Sequence, residues 1–182
     1  VIRLFAALAM PETMRERLAL AQQGLGGRLV PPENFHLSLA FFGETPEPQA
    51  ADLHAALLKV RTPGFSVWLD GVGAFGGVRP RSIHARVRQE PALTHLQASI
   101  AQAARDAGIV QDDARYTPHV TLSRYRPGAL SASNAAKLLS ARGAFLAGPA
   151  RMQAFHLYRS DLGRTGPAYA VLASYPLGGS AP

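Results

Sequence analysis

His36-Leu37-Ser38-Leu39 and His119-Val120-Thr121-Leu122, 83 residues apart, share one pattern: histidine, aliphatic, hydroxyl, aliphatic. Alternate side chains of a β-strand share a face. Read as strands, both stretches put an imidazole and a hydroxyl on one surface and two aliphatic groups behind it, in the core. Each copy also follows a helix and a short turn. This loose internal repeat predicts a duplicated, two-lobed architecture with the two motifs symmetric about a central cleft. No composition shift marks a linker, so residues 1–182 read as a single two-lobed domain.

Working outward, strands are expected at 2–8, 35–42, 64–70, 83–88, 119–124, 152–158 and 168–175, where apolar and polar residues alternate. Pro11 and Glu12 suit a helix N-terminus. Met14, Leu18 and Leu25 keep a helical spacing until Gly24, Gly26 and Gly27 stop it. Thr45 as N-cap and Pro46 open a second helix carrying Leu53, Leu57, Leu58 and Val60. Pro91 opens a third, with Leu93, Leu96, Ile100 and Ala104 on one face. A weaker fourth spans 131–142, capped by Ser131 or Ser133. Gly71, Gly73, Gly76, Gly77 and Pro80 read as a loop. Strands and helices without regular βαβ alternation late in the chain give an α+β class, with two antiparallel-rich sheets and outer helices around the cleft.

The composition narrows the function. Of 182 residues, 47% are hydrophobic and 17% charged, which is the balance of a globular chain. No run of 18 apolar residues exists, so no membrane span is expected. The apolar stretch Ile2–Met10 is short and an amphipathic segment follows at once, so it reads as a first strand rather than a signal peptide. The chain has no cysteine. That removes disulfides, thiolate metal sites and a cysteine nucleophile, and fits a cytoplasmic location. The six histidines form no metal-ligand spacing, so no metal and no cofactor are expected. The net charge of +7 is carried by arginine, since Lys59 and Lys137 are the only lysines. It favours an anionic partner, with nucleic acid or phosphate first. A general abundance of Ala, Gly, Pro and Arg accounts for it equally well.

Two histidines on one surface suit phosphodiester chemistry. One takes a proton from water while the other gives a proton to the leaving oxygen. The hydroxyls of Ser38 and Thr121 donate to the phosphate oxygens, where negative charge builds. With an arginine nearby, no metal is required.

The flanking blocks sharpen this. Arg3-Leu4-Phe5-Ala6-Ala7-Leu8, Pro32-Glu33-Asn34-Phe35-His36-Leu37-Ser38-Leu39 with Phe42-Gly43-Glu44, Thr117-Pro118-His119-Val120-Thr121-Leu122-Ser123-Arg124 and Phe155-His156-Leu157-Tyr158-Arg159-Ser160 resemble blocks of a known family. The chain resembles the two-histidine (2H) phosphoesterases, and among them the RNA 2′,3′-cyclic phosphodiesterases, also called 2′-5′ RNA ligases. The resemblance covers nearly the whole chain. It departs at Ser38, where the family usually has threonine. It implies a bilobal fold around a positively charged cleft and hydrolysis of 2′,3′-cyclic phosphates on RNA ends or nucleotides to 2′-phosphates. It makes His36 the proton donor and His119 the proton acceptor. The near-symmetric motifs alone do not decide between them.

Other residues carry expectations of their own. Strict alternation turns Arg124 away from the cleft, so it reaches phosphate only if the strand ends or bulges near Ser123; the resemblance implies an arginine there. Phe42 and Tyr116 flank the motifs and are candidates for stacking on a base, with core packing as the alternative. His156 reads as structural, and His54, His84 and His95 as bystanders. No protein partner is implied, and a monomer is expected. Two other functions stay open: a two-histidine phosphodiesterase for another cyclic phosphate or a 2′-5′ oligonucleotide, and a non-catalytic RNA-binding module.

Overall fold

A computed structural model describes residues 1–112 and 114–178. The chain runs β1 (Ile2–Ala9), α1 (Glu12–Gln22), β2 (Arg28–Leu29), β3 (His36–Thr45), α2 (Glu47–Leu57), β4 (Phe65–Phe75), β5 (Ser82–Val87), α3 (Pro91–Asp106), β6 (His119–Arg124), α4 (Ala132–Ser140), β7 (Leu146–Met152), β8 (Ala154–Gly163) and β9 (Gly166–Pro176). Two antiparallel sheets result. One has the order β3-β1-β8-β9 and the other β2-β6-β5-β4-β7. This is the two-sheet α+β architecture expected, with one motif strand in each sheet.

The helices cross over between the halves. α1 follows a strand of the first sheet but packs on β6 and β7 of the second. α3 follows a strand of the second sheet but packs on β3 of the first. Met14 and Leu18 of α1 and Leu93, Leu96 and Ile100 of α3 are all 2% exposed or less. The aliphatic partners in the motifs, Leu37, Leu39, Val120 and Leu122, are buried to the same degree. Burying each of these side chains contributes about 1.5–3 kcal/mol. That fixes which face of β3 and β6 is left for the histidines.

The structure departs from the sequence reading in several places, one being that α2 ends at Leu57 and leaves Leu58 and Val60 beyond it. The stretch 71–75 is strand rather than loop, because β4 continues to Phe75. Gly71, with φ +77°, sits where the β4–β5 register shifts between Leu69 and Val72. The single strand expected at 152–158 is two: β7 ends at Met152, and β8 begins at Ala154 in the other sheet. Thr45 does not cap α2. Pro46 holds that position, and the Thr45 hydroxyl donates to the carbonyls of Gly43 (3.3 Å) and Phe42 (3.5 Å). Finally, Arg28–Leu29 forms a short edge strand on β6. For α4, Ser131 is the cap, its Oγ accepting from the Asn134 amide at 3.1 Å.

Candidate active site

His36 and His119 each begin a strand, and both are held in the same way. The His36 Nδ1 lies 2.7 Å from the Asn34 carbonyl and the His119 Nδ1 2.8 Å from the Thr117 carbonyl, two residues back in each case. A carbonyl only accepts, so Nδ1 carries the proton in both rings and donates it. Nε2 is left as the working nitrogen of each.

Both rings are also walled by a pair of aromatic groups. His36 lies 5.1 Å from Phe5 and 5.3 Å, edge-on, from Tyr169. His119 lies 4.8 Å from Phe75 and 5.2 Å from His84. Burial, first of all, pulls the pKa of each motif histidine below 6.5. For His36, the bond to the Asn34 carbonyl opposes this, and the Arg124 and His119 charges reinforce it. For His119, the Thr117 carbonyl opposes it and Arg124 reinforces it.

The motif strands bulge at equivalent positions. In the first sheet, Ala6 pairs with Ala40 and Ala7 with Ser38, so Leu39 is skipped. In the second, Ile83 pairs with Ser123 and His84 with Thr121, so Leu122 is skipped. A bulge inserts one residue and reverses the side-chain parity beyond it. The residue five places after each histidine is thereby exposed, while its neighbour is buried: Phe41 beside Phe42, and Arg124 beside Ser123. The bulge needed for Arg124 to leave the core side is therefore present. Arg124 stands close enough to both histidines to depress both pKa values. Its side chain has no ion pair among the described residues.

Two cavities are lined by the motif residues. One, of about 390 Å³, is lined by His36, Thr121, Arg124, Arg28, Asn34 and Tyr169. The other, of about 360 Å³, is lined by His119, Ser38, Phe41, Phe75, Arg115 and Tyr116. Each thus joins the histidine of one lobe to the hydroxyl of the other. Between them the two cavities are lined by both imidazoles, both hydroxyls and Arg124.

Phe42 is not brought to this cleft. It is 7% exposed and packs in the core, while Phe41, 63% exposed and 5.7 Å from Phe5, occupies the open face. Tyr116 does line the second cavity, but its hydroxyl is committed, donating to the Ser38 carbonyl at 2.9 Å. Burial pushes that phenol above its ordinary pKa. His54 bonds the Tyr175 hydroxyl at 2.7 Å, His156 bonds the Ser174 hydroxyl at 2.8 Å, and His95 is exposed on α3. His84, set aside as a bystander from sequence, stands beside His119. The sequence alone assigns no site role to Phe5, Phe41, Phe75, Tyr169, Arg28 or Arg115. For Phe41 a signal existed: it occupies the place in the first motif that Arg124 has in the second. Among the described residues, no group of three His, Asp or Glu side chains comes together as a metal site. No helix among them is long and apolar enough to cross a membrane.

Two lobes, each lending an imidazole and a hydroxyl to one cleft, define the two-histidine phosphoesterase class. The chain belongs to the 2′-5′ RNA ligase superfamily, whose family model matches residues 11–164. It is 32% identical over 160 residues to the RNA 2′,3′-cyclic phosphodiesterase of Aeropyrum pernix, covering 87% of this chain and 90% of that one. Among solved structures, E. coli LigT complexed with 3′-AMP superposes with a TM-score of 0.79 at 28% identity, covering 97% of this chain and 98% of that one. A solved structure from Thermus thermophilus superposes with a TM-score of 0.80 at 29% identity, covering 99% and 100%.

Proposed function

We propose that this chain is an RNA 2′,3′-cyclic phosphodiesterase that opens terminal cyclic phosphates to 2′-phosphates without a metal. The observation that carries the reading is the crossed pairing, in which each motif histidine shares a cavity with the other motif's hydroxyl. The His119 Nε2 takes a proton from water as the water oxygen bonds to phosphorus. The P–O3′ bond breaks, and O3′ takes the proton held on the His36 Nε2. Each such positioned transfer is worth about 10²–10⁴ in rate. Ser38, Thr121 and Arg124 hold the non-bridging oxygens as charge builds. Both histidines are fixed alike, so giving the donor role to His36 rests on the family resemblance. Phe41 and Tyr116 offer the terminal base an aromatic surface, a role that passes from Phe42 to its exposed neighbour.

One chain supplies every group named, so a monomer with the two lobes acting as one domain suffices, and its cysteine-free sequence fits the cytoplasm. The names of the relatives, and the 3′-AMP bound to LigT, support a ribonucleotide end as substrate. Joining of 2′-5′ ends would break the same P–O3′ bond with a 5′-hydroxyl attacking phosphorus in place of water, and so in competition with water.

The test is turnover of 2′,3′-cyclic nucleotides and cyclic-phosphate-ended RNA with and without chelator, with the product's phosphate position read by ³¹P NMR. A 2′-phosphate formed at the same rate in chelator supports the proposal. Loss of activity with chelator overturns the metal-free mechanism. Tight RNA binding with no turnover would mark a binding module instead.

A further inference from the structure

His84 has features that a bystander does not require. It is 4% exposed, at the centre of the second sheet. Its ring lies on Phe75 at 4.1 Å with a 23° tilt, and both rings meet His119 at 62–80°. No hydrogen bond engages it among the described residues, and its Nδ1 is buried without a partner. An orphaned buried nitrogen is a net cost to the fold, so polarity is not what the position uses. The neighbouring strand makes room for the ring. A Cβ at Gly73 would lie 2.8 Å from the His84 Nε2. The first lobe solves the same problem with Phe5 and Tyr169 against His36, two rings that are not imidazoles.

We infer that His84 is a positioning residue, serving with Phe75 as a neutral aromatic clamp that fixes the His119 ring rather than as a third proton carrier. Burial, and then the His119 and Arg86 charges, hold the His84 pKa at about 4, so the ring is neutral near neutral pH. The carbonyl of Thr117 fixes one edge of His119, and the clamp restrains rotation about that bond. The other ionisable groups near His119 are Arg124 on its own strand, Arg86 on β5, His36 on β3, and Arg115 and Asp112 in the preceding segment. None of these is an aromatic wall.

The inference rests on the proposed role of His119 as base, and two readouts keep them separable. In His84→Ala, kcat falls about 10- to 100-fold, the cost of a loosely placed reacting group, while KM moves less than about threefold. The acid limb of the pH–rate profile and the NMR titration of the His119 ring both move to higher pH as the ring loses its cover. His84→Phe restores the wall and brings kcat back to within about threefold of wild type. Gly73→Ala drives a Cβ at the His84 ring and lowers kcat as well. In the His84→Ala background the same change has nothing to strike and costs nothing further.

Failure of His84→Phe to restore activity would overturn the clamp, because the nitrogen would then matter. So would an unchanged His119 titration in His84→Ala, or equal losses from Gly73→Ala in both backgrounds. If the wild type turned over no cyclic phosphate, the functional reading would fail, and the His119 titration would still decide the clamp.

Discussion

Replacing Arg124 by glutamine keeps a polar side chain and removes both the charge and the guanidinium fork. The structure gives two separate consequences. Arg124 is exposed, and none of its side-chain atoms enters a hydrogen bond or ion pair among the described residues, so the fold does not depend on it. The expected change in stability is within about 0.5 kcal/mol. Loss of one charge-assisted bond to a phosphate oxygen costs about 1.5–3 kcal/mol, or roughly 10- to 150-fold in kcat/KM. The sign of the pH effect follows independently. The Arg124 charge lowers the pKa of both motif histidines, so its removal raises both. The acid limb, set by the base, and the alkaline limb, set by the acid, then move together, and the whole bell slides to higher pH. Arg124→Lys keeps the charge and loses the fork, so its bell stays in place while its height falls. Steady-state rates across pH 4–10 with a cyclic nucleotide, beside thermal melts of each variant, measure all of this. A glutamine variant with an unmoved bell and less than threefold loss would refute the placement of Arg124 on the phosphate. A collapsed melt would refute its independence from the fold.

Two further outcomes are expected. Tyr116→Phe removes the bond to the Ser38 carbonyl that ties the segment before β6 to β3, and lowers the free energy of unfolding in urea by about 0.5–1.5 kcal/mol; an unchanged urea midpoint would show that the tie contributes nothing. His36, His84 and His119 have folded pKa values below the ordinary 6.5, with burial as the leading cause. The unfolded chain therefore gains their protons at a higher pH than the folded one. Their contribution to stability is full above about pH 6.5 and is lost as pH falls through the folded values. For His84 that window runs from 6.5 to about 4 and amounts to at most about 3 kcal/mol. Urea denaturation of His84→Phe should accordingly show a shallower loss of stability across this range than the wild type, and equal slopes would contradict the burial of a neutral His84.

The motif faces were legible in the sequence because parity is a local property. Leu37, Leu39, Val120 and Leu122 needed only alternation to be assigned to the core. What alternation cannot register is a break in itself. The bulges at Leu39 and Leu122 leave no mark in composition, yet they decide that Phe41 rather than Phe42, and Arg124 rather than Ser123, is exposed beside the motifs. Alternation also runs unbroken through Gln153, which hid the change of sheet between β7 and β8. A run of glycines reads as a loop in sequence because residues without side chains have the widest backbone freedom. At Gly73 the missing Cβ instead makes space for a neighbouring ring. His84 was missed for a related reason: its meaning lies across strands, in Phe75 and His119, and no spacing along the chain expresses that.

The central claim is that His36 and His119 form one acid–base pair acting on a cyclic phosphate. The direct test is the single-turnover rate on 2′,3′-cyclic-phosphate-ended RNA for His36→Ala, His119→Ala and the double variant, with folding checked by circular dichroism. Each single change should cost at least about 10²-fold, and the double little more than the worse single, because the two act as a unit. Retention of more than about a tenth of the wild-type rate by either folded single variant would contradict the account.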